Sequence, residues 1–561
     1  MKLFKEVLKN NFKMIVVYVL IGIVINFLDL YSVTYYQKIL DAFQYETLTI
    51  VPLIIYGVLL LASTILGYLE NYPEQQVKNK LYLDFKLQAL KKMKTIDYLE
   101  YQKIGTGRLT QKVEDGATAS RDVLLNYWLK LIRYLLPTAI FSLIFIFRVE
   151  REYVLFVLLG YIIVIVISNL ILKKLYKLKE SILVNQEVLN KHLVRGFMEL
   201  VVFRTNKKFD TEIEVTKEGI KNITDAKTKI KLVHEIFFTV FALIVNVLKV
   251  IVLGYAVLKS NLSVGAVVTV IALLGKAYEP IAIFNVEYVD YKLNKVAVKK
   301  YIAFLDSKDD ENLNKGEIVK NVLGEIELKD IVYSYNYGKT IIKDLSLRIK
   351  ANSSIALVGE SGSGKSTIIK LIMGLIKYDS GQLLIDGKEI KDLNLNSFYD
   401  KVSYVSQEAP IFDGTLRENL VFDKKISDPK IKEVLKLVCL ENFYEKLENG
   451  LDTELGEKGI KMSGGERQRV ALARLFFDDS KIIILDEATS AMDNVTEKEV
   501  MKNLVDELKD RTIIVIAHRL ETIKNVDDIY VLSDGVIKEH GKYKDLLTKD
   551  GYFKKLYESA K

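Results

Sequence analysis

The sequence has a single cysteine, Cys439, among its 561 residues. One cysteine cannot form a disulfide within the chain, so the fold does not depend on a disulfide framework. The sequence also has no internal repeat and no low-complexity tract, which excludes a repeat architecture. The first apolar stretch exceeds the apolar core of a signal peptide, and no small-residue cleavage site follows it. It is therefore not a secretory signal peptide.

The composition indicates two unlike halves. Half of the residues are hydrophobic and 27% are charged, and a chain of this length exceeds what one hydrophobic core can organise. Long apolar stretches fill the first half, whereas the later sequence is typical of a soluble α/β domain. The net charge of +8 does not indicate nucleic-acid binding. The lysines cluster between the apolar stretches, where basic residues mark the cytoplasmic side of a membrane protein.

Six apolar stretches each approach the ~20 residues that a helix needs to cross a bilayer. The sequence therefore predicts an all-α membrane domain of six spanning helices. The predicted spans are residues 14–36, 48–69, 123–147, 153–172, 236–258 and 264–286.

The connections between these spans alternate in length and charge. Residues 70–120 and 173–235 are long and rich in Lys and Arg, whereas 37–47, 148–152 and 259–263 are short and nearly balanced. Basic connections stay on the cytoplasmic side of the membrane. The N-terminus, both long connections and everything after the sixth span are therefore predicted to be cytoplasmic, and the chain is predicted to be a multi-pass membrane protein, most simply of a bacterial cell membrane.

The soluble part follows a polar stretch that we interpret as a linker. Short β-rich runs such as IIIL and TIIVI alternate with helical patterns, which is typical of buried parallel strands in an α/β domain. The sequence thus predicts a membrane domain over residues 1–306, a linker over 307–322 and an α/β domain over 323–561.

The motif GESGSGKST lies between the apolar strand SIALV and a helical pattern, the context that a phosphate-binding loop (P-loop) requires. Its glycines let backbone N–H groups surround phosphate oxygens at a helix N-terminus. The lysine supplies a charge toward the β and γ phosphates, and the serine that follows it can bind Mg²⁺. The predicted phosphate-binding residues are Gly359, Glu360, Ser361, Gly362, Ser363, Gly364, Lys365, Ser366 and Thr367.

Two acids follow the apolar run IIIL. Asp486 is positioned to hold Mg²⁺, and Glu487, one residue further, to polarise an attacking water. Two acids after a strand are common in soluble proteins, and the P-loop upstream makes the catalytic interpretation the stronger one. His518 follows the next strand, TIIVI, where an imidazole could contact the γ-phosphate or simply pack.

These motifs, together with Gln407 in VSYVSQ, the run MSGGERQR and the run ILDEATSAMD, resemble the nucleotide-binding domain of ATP-binding cassette (ABC) transporters across residues 323–561. The six-span region is similar to that of the exporter half-transporters of this family. The resemblance implies an ATP hydrolase coupled to transport, with ATP and Mg²⁺ as cofactors. Because only about a dozen residues precede the first span, we expect no N-terminal cysteine-peptidase domain.

The resemblance also implies a role for each motif residue. Tyr335 would stack on adenine, Gln407 would complete the Mg²⁺ shell, and Asp493 would lie at a dimer seam. The signature residues Ser463, Gly464, Gly465 and Glu466 would contact the ATP of a second half-transporter, in a homodimer by default and a heterodimer as the alternative. The signature reads MSGGE where LSGGQ is usual, and this departure removes no phosphate or metal ligand.

The transported substrate is the least determined feature. Arg133, Lys249 and Lys276 fall inside predicted spans, with Asp29 and Glu279 as candidate partners. Lys276 and Glu279 either pair on one helix face or line a polar cavity. Tyrosines such as Tyr127 either line a substrate path or form interfacial belts. We therefore expect export of a peptide or charged amphiphile; the alternatives are a flippase for a lipid or lipid-linked glycan, a multidrug exporter, and an ATP-gated channel or sensor.

Overall fold

The computed structural model describes residues 2–47, 49–104, 106–198, 200–259, 263–335, 338–456, 459, 462–517 and 519–559. The chain divides into two compact units. The first comprises residues 1–94 and 104–307, and the second comprises residues 95–103 and 308–561.

Long helices make up the first unit, because its apolar runs contain few helix breakers. In chain order the helices of the first half are α1 (Lys2–Gln44), α2 (Ile50–Met93), α3 (Tyr98–Ile104), α4 (Thr106–Asp122), α5 (Leu136–Val149), α6 (Tyr153–Met198), α7 (Leu200–Thr205), α8 (Phe209–Lys259) and α9 (Val264–Leu305). Two π-helical segments, Val123–Leu129 and Leu131–Leu135, join α4 to α5 in one continuous helix.

Five helices of the part described are long and apolar enough to cross a membrane, and the apolar helical segment Tyr153–Val164 begins α6 within the fourth predicted span. The helices extend well beyond the predicted spans at their cytoplasmic ends. Helix α2, for example, continues without a break from its apolar half into a polar half that ends at Met93. The first unit is thus a bundle of membrane helices with long polar extensions.

A buried polar cluster joins three helices of this bundle. Arg133 pairs with Glu70 of α2 and lies 4.6 Å from the ring centroid of Tyr18. It crosses α1 at Gly22, where a Cβ atom would come within 2.2 Å of the arginine Cγ. Asn26 donates hydrogen bonds to the carbonyls of Gly22 and Arg133, at 2.7 and 3.2 Å. An arginine here is accommodated because a carboxylate and an aromatic face both meet it.

The pairing predicted for the charged residues inside the spans is found for one pair and not for the others among the described residues. Lys276 pairs with Glu279 at 3.3 Å on one face of α9, as the helical spacing predicted. Asp29, the other candidate partner, accepts a hydrogen bond from Ser63, and Arg133 pairs with Glu70, which was not among the predicted partners.

The second unit consists of two sheets with helices around them. The strands are β1 (Ile326–Ser334), β2 (Thr340–Ile349), β3 (Ser354–Gly359), β4 (Ser380–Ile385), β5 (Lys388–Glu389), β6 (Val402–Val405), β7 (Ile482–Asp486), β8 (Thr512–Ile516), β9 (Asp528–Ser533) and β10 (Val536–Gly541). The helices are α10 (Lys365–Ile372), α11 (Leu395–Tyr399), α12 (Leu416–Val421), α13 (Asp428–Leu437), α14 (Glu441–Tyr444), α15 (Gly464–Ala473), α16 (Asn494–Glu507), α17 (Tyr543–Thr548) and α18 (Tyr552–Ser559).

The larger sheet has the strand order β10-β9-β3-β8-β7-β6, and its strands from β9 to β6 run parallel. The smaller sheet, β2-β1-β4-β5, is antiparallel. The continuous apolar runs of β7 and β8 are buried because both faces of the parallel sheet are covered, one by helices such as α15 and α16 and the other by α10 and the smaller sheet. The carboxyl ends of β3, β8 and β7 consequently meet at one edge, where ligands bind in open α/β sheets.

A segment from between α2 and α4 folds as part of this second unit. The N–H of Asp97 donates to the carbonyl of Lys308 at 3.0 Å, and the N–H of Asp310 to that of Thr95 at 2.8 Å. Tyr98 and Leu99 pack against the apolar core between the two sheets. Further along, the stretch 307–322 hydrogen-bonds to α11 and the turn before it, for example through the N–H of Val319 and the Ser397 hydroxyl at 2.9 Å.

Candidate active site

The P-loop connects β3 to α10 in a left-handed backbone conformation that suits glycine. Gly359, Gly362 and Gly364 have φ angles of 150°, 81° and 106°. At Gly359 a Cβ atom would lie 2.1 Å from the carbonyl oxygen of Leu532, so no side chain fits. At these glycine positions the loop therefore presents its backbone rather than side chains, as the approach of a phosphate group requires.

Two side chains of the loop are poised for an anion. Lys365 is buried, and its ammonium donates to the carbonyls of Gly359 and Glu360, both at 2.8 Å. Burial lowers the pKa of Lys365, while the nearby carboxylates of Glu487 and Asp486 act in the opposite direction. The Ser363 hydroxyl is buried without a hydrogen-bond partner among the atoms described. A buried polar group of this kind indicates a missing ligand, and a phosphate oxygen fits both donors.

The two acids at the end of β7 differ in their surroundings. The Tyr404 hydroxyl donates to Asp486 Oδ2 at 3.2 Å, and Gln407 Nε2 donates to Glu487 Oε2 at 2.7 Å. Burial raises the pKa of Asp486, and the Tyr404 hydrogen bond opposes that rise. Glu487 has a φ of 53°, a strained conformation for a residue with a side chain. Strain of this kind is concentrated at functional sites.

The side chains that would hold Mg²⁺ are of the kind that Mg²⁺ prefers. Ser366, the second residue of α10, is exposed, and Asp486 and Gln407 offer oxygens at and after the ends of neighbouring strands. No group of three His, Cys, Asp or Glu side chains in the described part of the chain could hold a metal by itself. Mg²⁺ commonly takes only one or two carboxylates and completes its shell with phosphate and water, so these residues fit that role.

The signature forms a second helix N-terminus. Ser463 caps α15, and Glu466 completes the capping box by accepting from the Ser463 N–H at 2.7 Å and from its hydroxyl at 2.8 Å. The two glycines lie close to the backbone and side chain of Ala491, so that added Cβ atoms would be 3.2 and 3.1 Å away. The glutamate of MSGGE therefore stabilises the helix start.

The remaining predicted residues have these positions. Tyr335 is half-buried beside Tyr333, with ring centroids 5.1 Å apart. Asp493 caps α16 by accepting from the N–H groups of Val495 and Thr496, at 3.1 and 2.9 Å. His518 lies outside the described residues.

Two side chains that organise the site, Gln468 and Tyr404, were not predicted from the sequence. Gln468, only 3% exposed, donates to the Gln407 carbonyl and the Ser490 hydroxyl, and it accepts from the Ala491 N–H at 2.8 Å. It thereby links the signature helix to the segments that follow β6 and β7. Tyr404 is the other. Both lie inside recognised motifs, which is the only signal for them that the sequence offers.

If Asp486 binds Mg²⁺, as the resemblance to ABC transporters implies, replacing Tyr404 by phenylalanine should raise about fivefold the Mg²⁺ concentration that half-activates the implied ATP hydrolysis, because the Asp486 carboxylate loses a partner that orients it. The pKa of Asp486 would rise further, so activity would be lost at a higher pH on acidification. Mg²⁺ titrations between pH 5 and 8 would measure both effects. Tyr378→Phe, which removes a hydroxyl bonded to Glu389, is the matched control; equal responses of the two variants would contradict a role for Tyr404.

Comparisons with known proteins cover both halves of the chain. The family model for ABC transporters matches residues 342–490. The ATP-dependent lipid A-core flippases of Shigella flexneri and of Escherichia coli strain K12 are each 27% identical over 521 residues, which is 90% of this chain and 88% of each relative.

The fold has a counterpart among solved structures. A bacterial Atm1-family ABC exporter with ATP bound superposes with a TM-score of 0.85 at 24% identity, over 99% of this chain and 98% of the other. The predicted fold class, membrane helices followed by an α/β ATPase domain, is thereby confirmed.

Proposed function

We propose that this chain is an ABC transporter of the exporter type, with its membrane helices and ATPase domain on one polypeptide, and that it uses ATP to move an amphipathic lipid between the leaflets of the bilayer. Its ATPase domain is cytoplasmic and couples hydrolysis to transport. The observation that carries the lipid proposal is the likeness to lipid A-core flippases, which extends over 90% of the chain and therefore includes the membrane helices. The lipid alternative thus has more support than the peptide substrate expected from the sequence.

The polar groups of the membrane helices support the same proposal. Arg133 and Glu70 form a buried pair, and Lys276 and Glu279 form a half-exposed pair inside the predicted sixth span. Tyr134 donates to Glu279 at 2.5 Å. Ionisable groups at membrane depth usually face a bundle interior or a wet cavity. A lipid headgroup crossing the bilayer needs such polar surroundings, while its acyl chains can remain in the hydrocarbon.

In the ATPase domain we assign each site residue a role in ATP binding or hydrolysis. Lys365 and the P-loop N–H groups would bind the β and γ phosphates, and Ser366, Gln407 and Asp486 would hold Mg²⁺, which neutralises charge on the phosphates when bound. Glu487, whose carboxylate Gln407 orients at 2.7 Å, would accept a proton from the attacking water. His518 would contact the γ-phosphate.

We further propose that the functional unit is a dimer. The P-loop and signature each occur once, and both are helix N-termini suited to anions. If the signature of one chain closes on the ATP held by the partner chain, nucleotide binding brings the two chains together and drives the membrane helices between two conformations. Ser463, Gly464 and Gly465 would then face the partner's ATP, with Asp493 at the seam.

A mixed dimer tests this arrangement in trans. Lys365→Ala and Ser463→Ala homodimers should each lose nearly all ATPase activity, since every composite site is damaged. A purified dimer with one chain of each kind contains one site with both defects and one intact site, so about half of the wild-type activity should return if its two sites act independently. A mixed dimer as inactive as either homodimer would refute a pair of shared sites that act independently.

Proteoliposomes test the substrate. Wild-type protein should accelerate movement of a fluorescently labelled anionic phospholipid between leaflets when ATP and Mg²⁺ are added, followed by chemical quenching of the exposed leaflet. Lys365→Ala serves as the matched inactive protein. ATP-driven accumulation of a labelled peptide without any lipid movement would overturn the lipid proposal in favour of peptide export.

A further inference from the structure

A ladder of aromatic rings joins α9 to the π-helical segment of the third predicted span. The rings of Tyr127 and Tyr291 are stacked, with centroids 4.2 Å apart and planes at 18°. Tyr288 stacks on Phe284 at 5.7 Å, and lies 6.2 Å from Tyr291. Residues 284, 288 and 291 share one helix face because they are four and three positions apart. The ladder is therefore a continuous aromatic surface rather than scattered rings.

Two lysines lie over this surface. The Lys292 ammonium is 4.8 Å from the ring centroid of Tyr288, and that of Lys295 is 5.6 Å from that of Tyr291. Both lysines are exposed. The rings thus hold two cations at the surface, in positions where they can still meet an anion.

The acidic residues of this part of α9 are paired with cations from other helices. Glu287 accepts from Lys130 at 2.6 Å, and Asp290 pairs with Lys179 of α6. These pairs are locally neutral, so Lys292 and Lys295 give the ladder a net positive charge. The surface is therefore complementary to an anion.

The predicted end of the sixth span places the ladder near the level of the lipid headgroups. Residues 284 to 295 rise about 16 Å along the helix axis at ~1.5 Å per residue. They run from the end of the predicted sixth span into the basic extension, which lies on the cytoplasmic side. The opposite side of the ladder is a π-helical segment, a local widening that is frequent at functional sites.

We propose that this ladder binds the headgroup of an anionic membrane lipid from the cytoplasmic leaflet, and that it is the loading site for transport. The proposal rests on the proposed lipid function and names its substrate class. Lys292 and Lys295 would bind the headgroup phosphate, and the ring edges and hydroxyl groups of the half-buried Tyr288 and Tyr291 would contact the adjoining glycerol or sugar.

The single tryptophan of the chain provides a reporter inside the site. Trp128 is 45% exposed, and its ring centroid is 5.2 Å from that of Tyr127. Full-length protein in nanodiscs, without ATP, would be titrated with phosphatidylglycerol or phosphatidylcholine carrying brominated acyl chains. The expected result is stronger quenching of Trp128 by phosphatidylglycerol. In Lys292→Gln/Lys295→Gln that preference should fall by roughly 30-fold, the effect expected for two lysines near an anionic surface.

The controls distinguish the effect of the two lysine charges, the source of the bound phosphate and the link between binding and transport. Lys217→Gln/Lys221→Gln removes two exposed lysines from α8 and should leave the preference unchanged. Inorganic phosphate should not compete; competition by it would assign the site to a free anion and overturn the lipid proposal. Equal quenching by both lipids, or a preference that survives in the lysine variant, would also overturn it. Binding is measured without ATP, so selective quenching without ATP-driven movement would refute the transport proposal while leaving the binding site in place.

Discussion

Replacing Glu487 by glutamine is expected to lower ATP turnover by roughly 10²- to 10⁴-fold, the range that a general base contributes, while leaving ATP affinity nearly unchanged. The carboxylate at the end of β7 would be lost, but glutamine keeps the shape and still offers an oxygen to Gln407 Nε2, which donates at 2.7 Å. Asp486 and the P-loop are untouched, so phosphates and metal would still bind. The variant should therefore accumulate with ATP bound.

Two measurements distinguish this outcome from misfolding. Phosphate release gives turnover, and equilibrium binding of a fluorescent ATP analogue gives affinity. Glu507→Gln removes an exposed carboxylate at the end of α16 and should behave as wild type. Wild-type turnover in Glu487→Gln would show that another residue acts as the general base. Loss of ATP binding would show instead that Glu487 supports the fold of the site.

Removing Glu70 is expected to destabilise the membrane helices by about 3–5 kcal/mol, the usual cost of leaving a buried charge without its partner. The carboxylate is 9% exposed and the guanidinium of Arg133 is 20% exposed. Gly22 leaves no room for the arginine to move toward α1, because its backbone lies directly under the side chain. In Glu70→Ala the cation would keep the ring of Tyr18 and the charge of the nearby Glu74 as favourable neighbours, but it would lose the carboxylate in direct contact with it.

The double variant Glu70→Leu/Arg133→Leu tests whether the loss comes from the orphaned charge. Replacing both partners by apolar residues of similar volume often restores stability, so this protein should denature close to the wild type in detergent. Lys86→Ala breaks a half-exposed pair with Glu114 and should change stability by no more than about 1 kcal/mol. If the double variant were as unstable as Glu70→Ala, packing rather than charge would explain the effect.

The ATPase fold could be predicted where local chemistry dictates it. GESGSGKST requires a loop between strand and helix, and the structure has β3, a loop of left-handed glycines and α10 at that place. The apolar runs before Asp486 and His518 became the adjacent strands β7 and β8. In the membrane unit, spans followed from length and hydropathy. The bounds of the predicted domains and the roles of the site residues stay predictions.

Contacts between helices that are far apart in the sequence could not be predicted from it. Glu70 fell just outside the predicted second span, and its pairing with a residue 63 positions away depends on how α2 packs in the bundle. The contacts of Tyr404 and Gln468 could not be predicted for a similar reason. A strand's sequence gives the alternation of its side chains but not which neighbour each meets, and Tyr404 meets Asp486 only because β6 and β7 are paired in a particular register.

The small segment from Thr95 to Lys103 has a consequence for biosynthesis. It packs its Tyr98 and Leu99 against a core built from residues 322 onward. During synthesis it leaves the ribosome about 200 residues before the second unit begins. Its apolar side chains therefore remain exposed to the cytoplasm, next to a helix already inserting into the membrane, until the two sheets have formed. Maturation of the ATPase unit is therefore completed by a piece of chain made long before it, and a fragment beginning at Lys308 would expose the apolar surface that this piece covers.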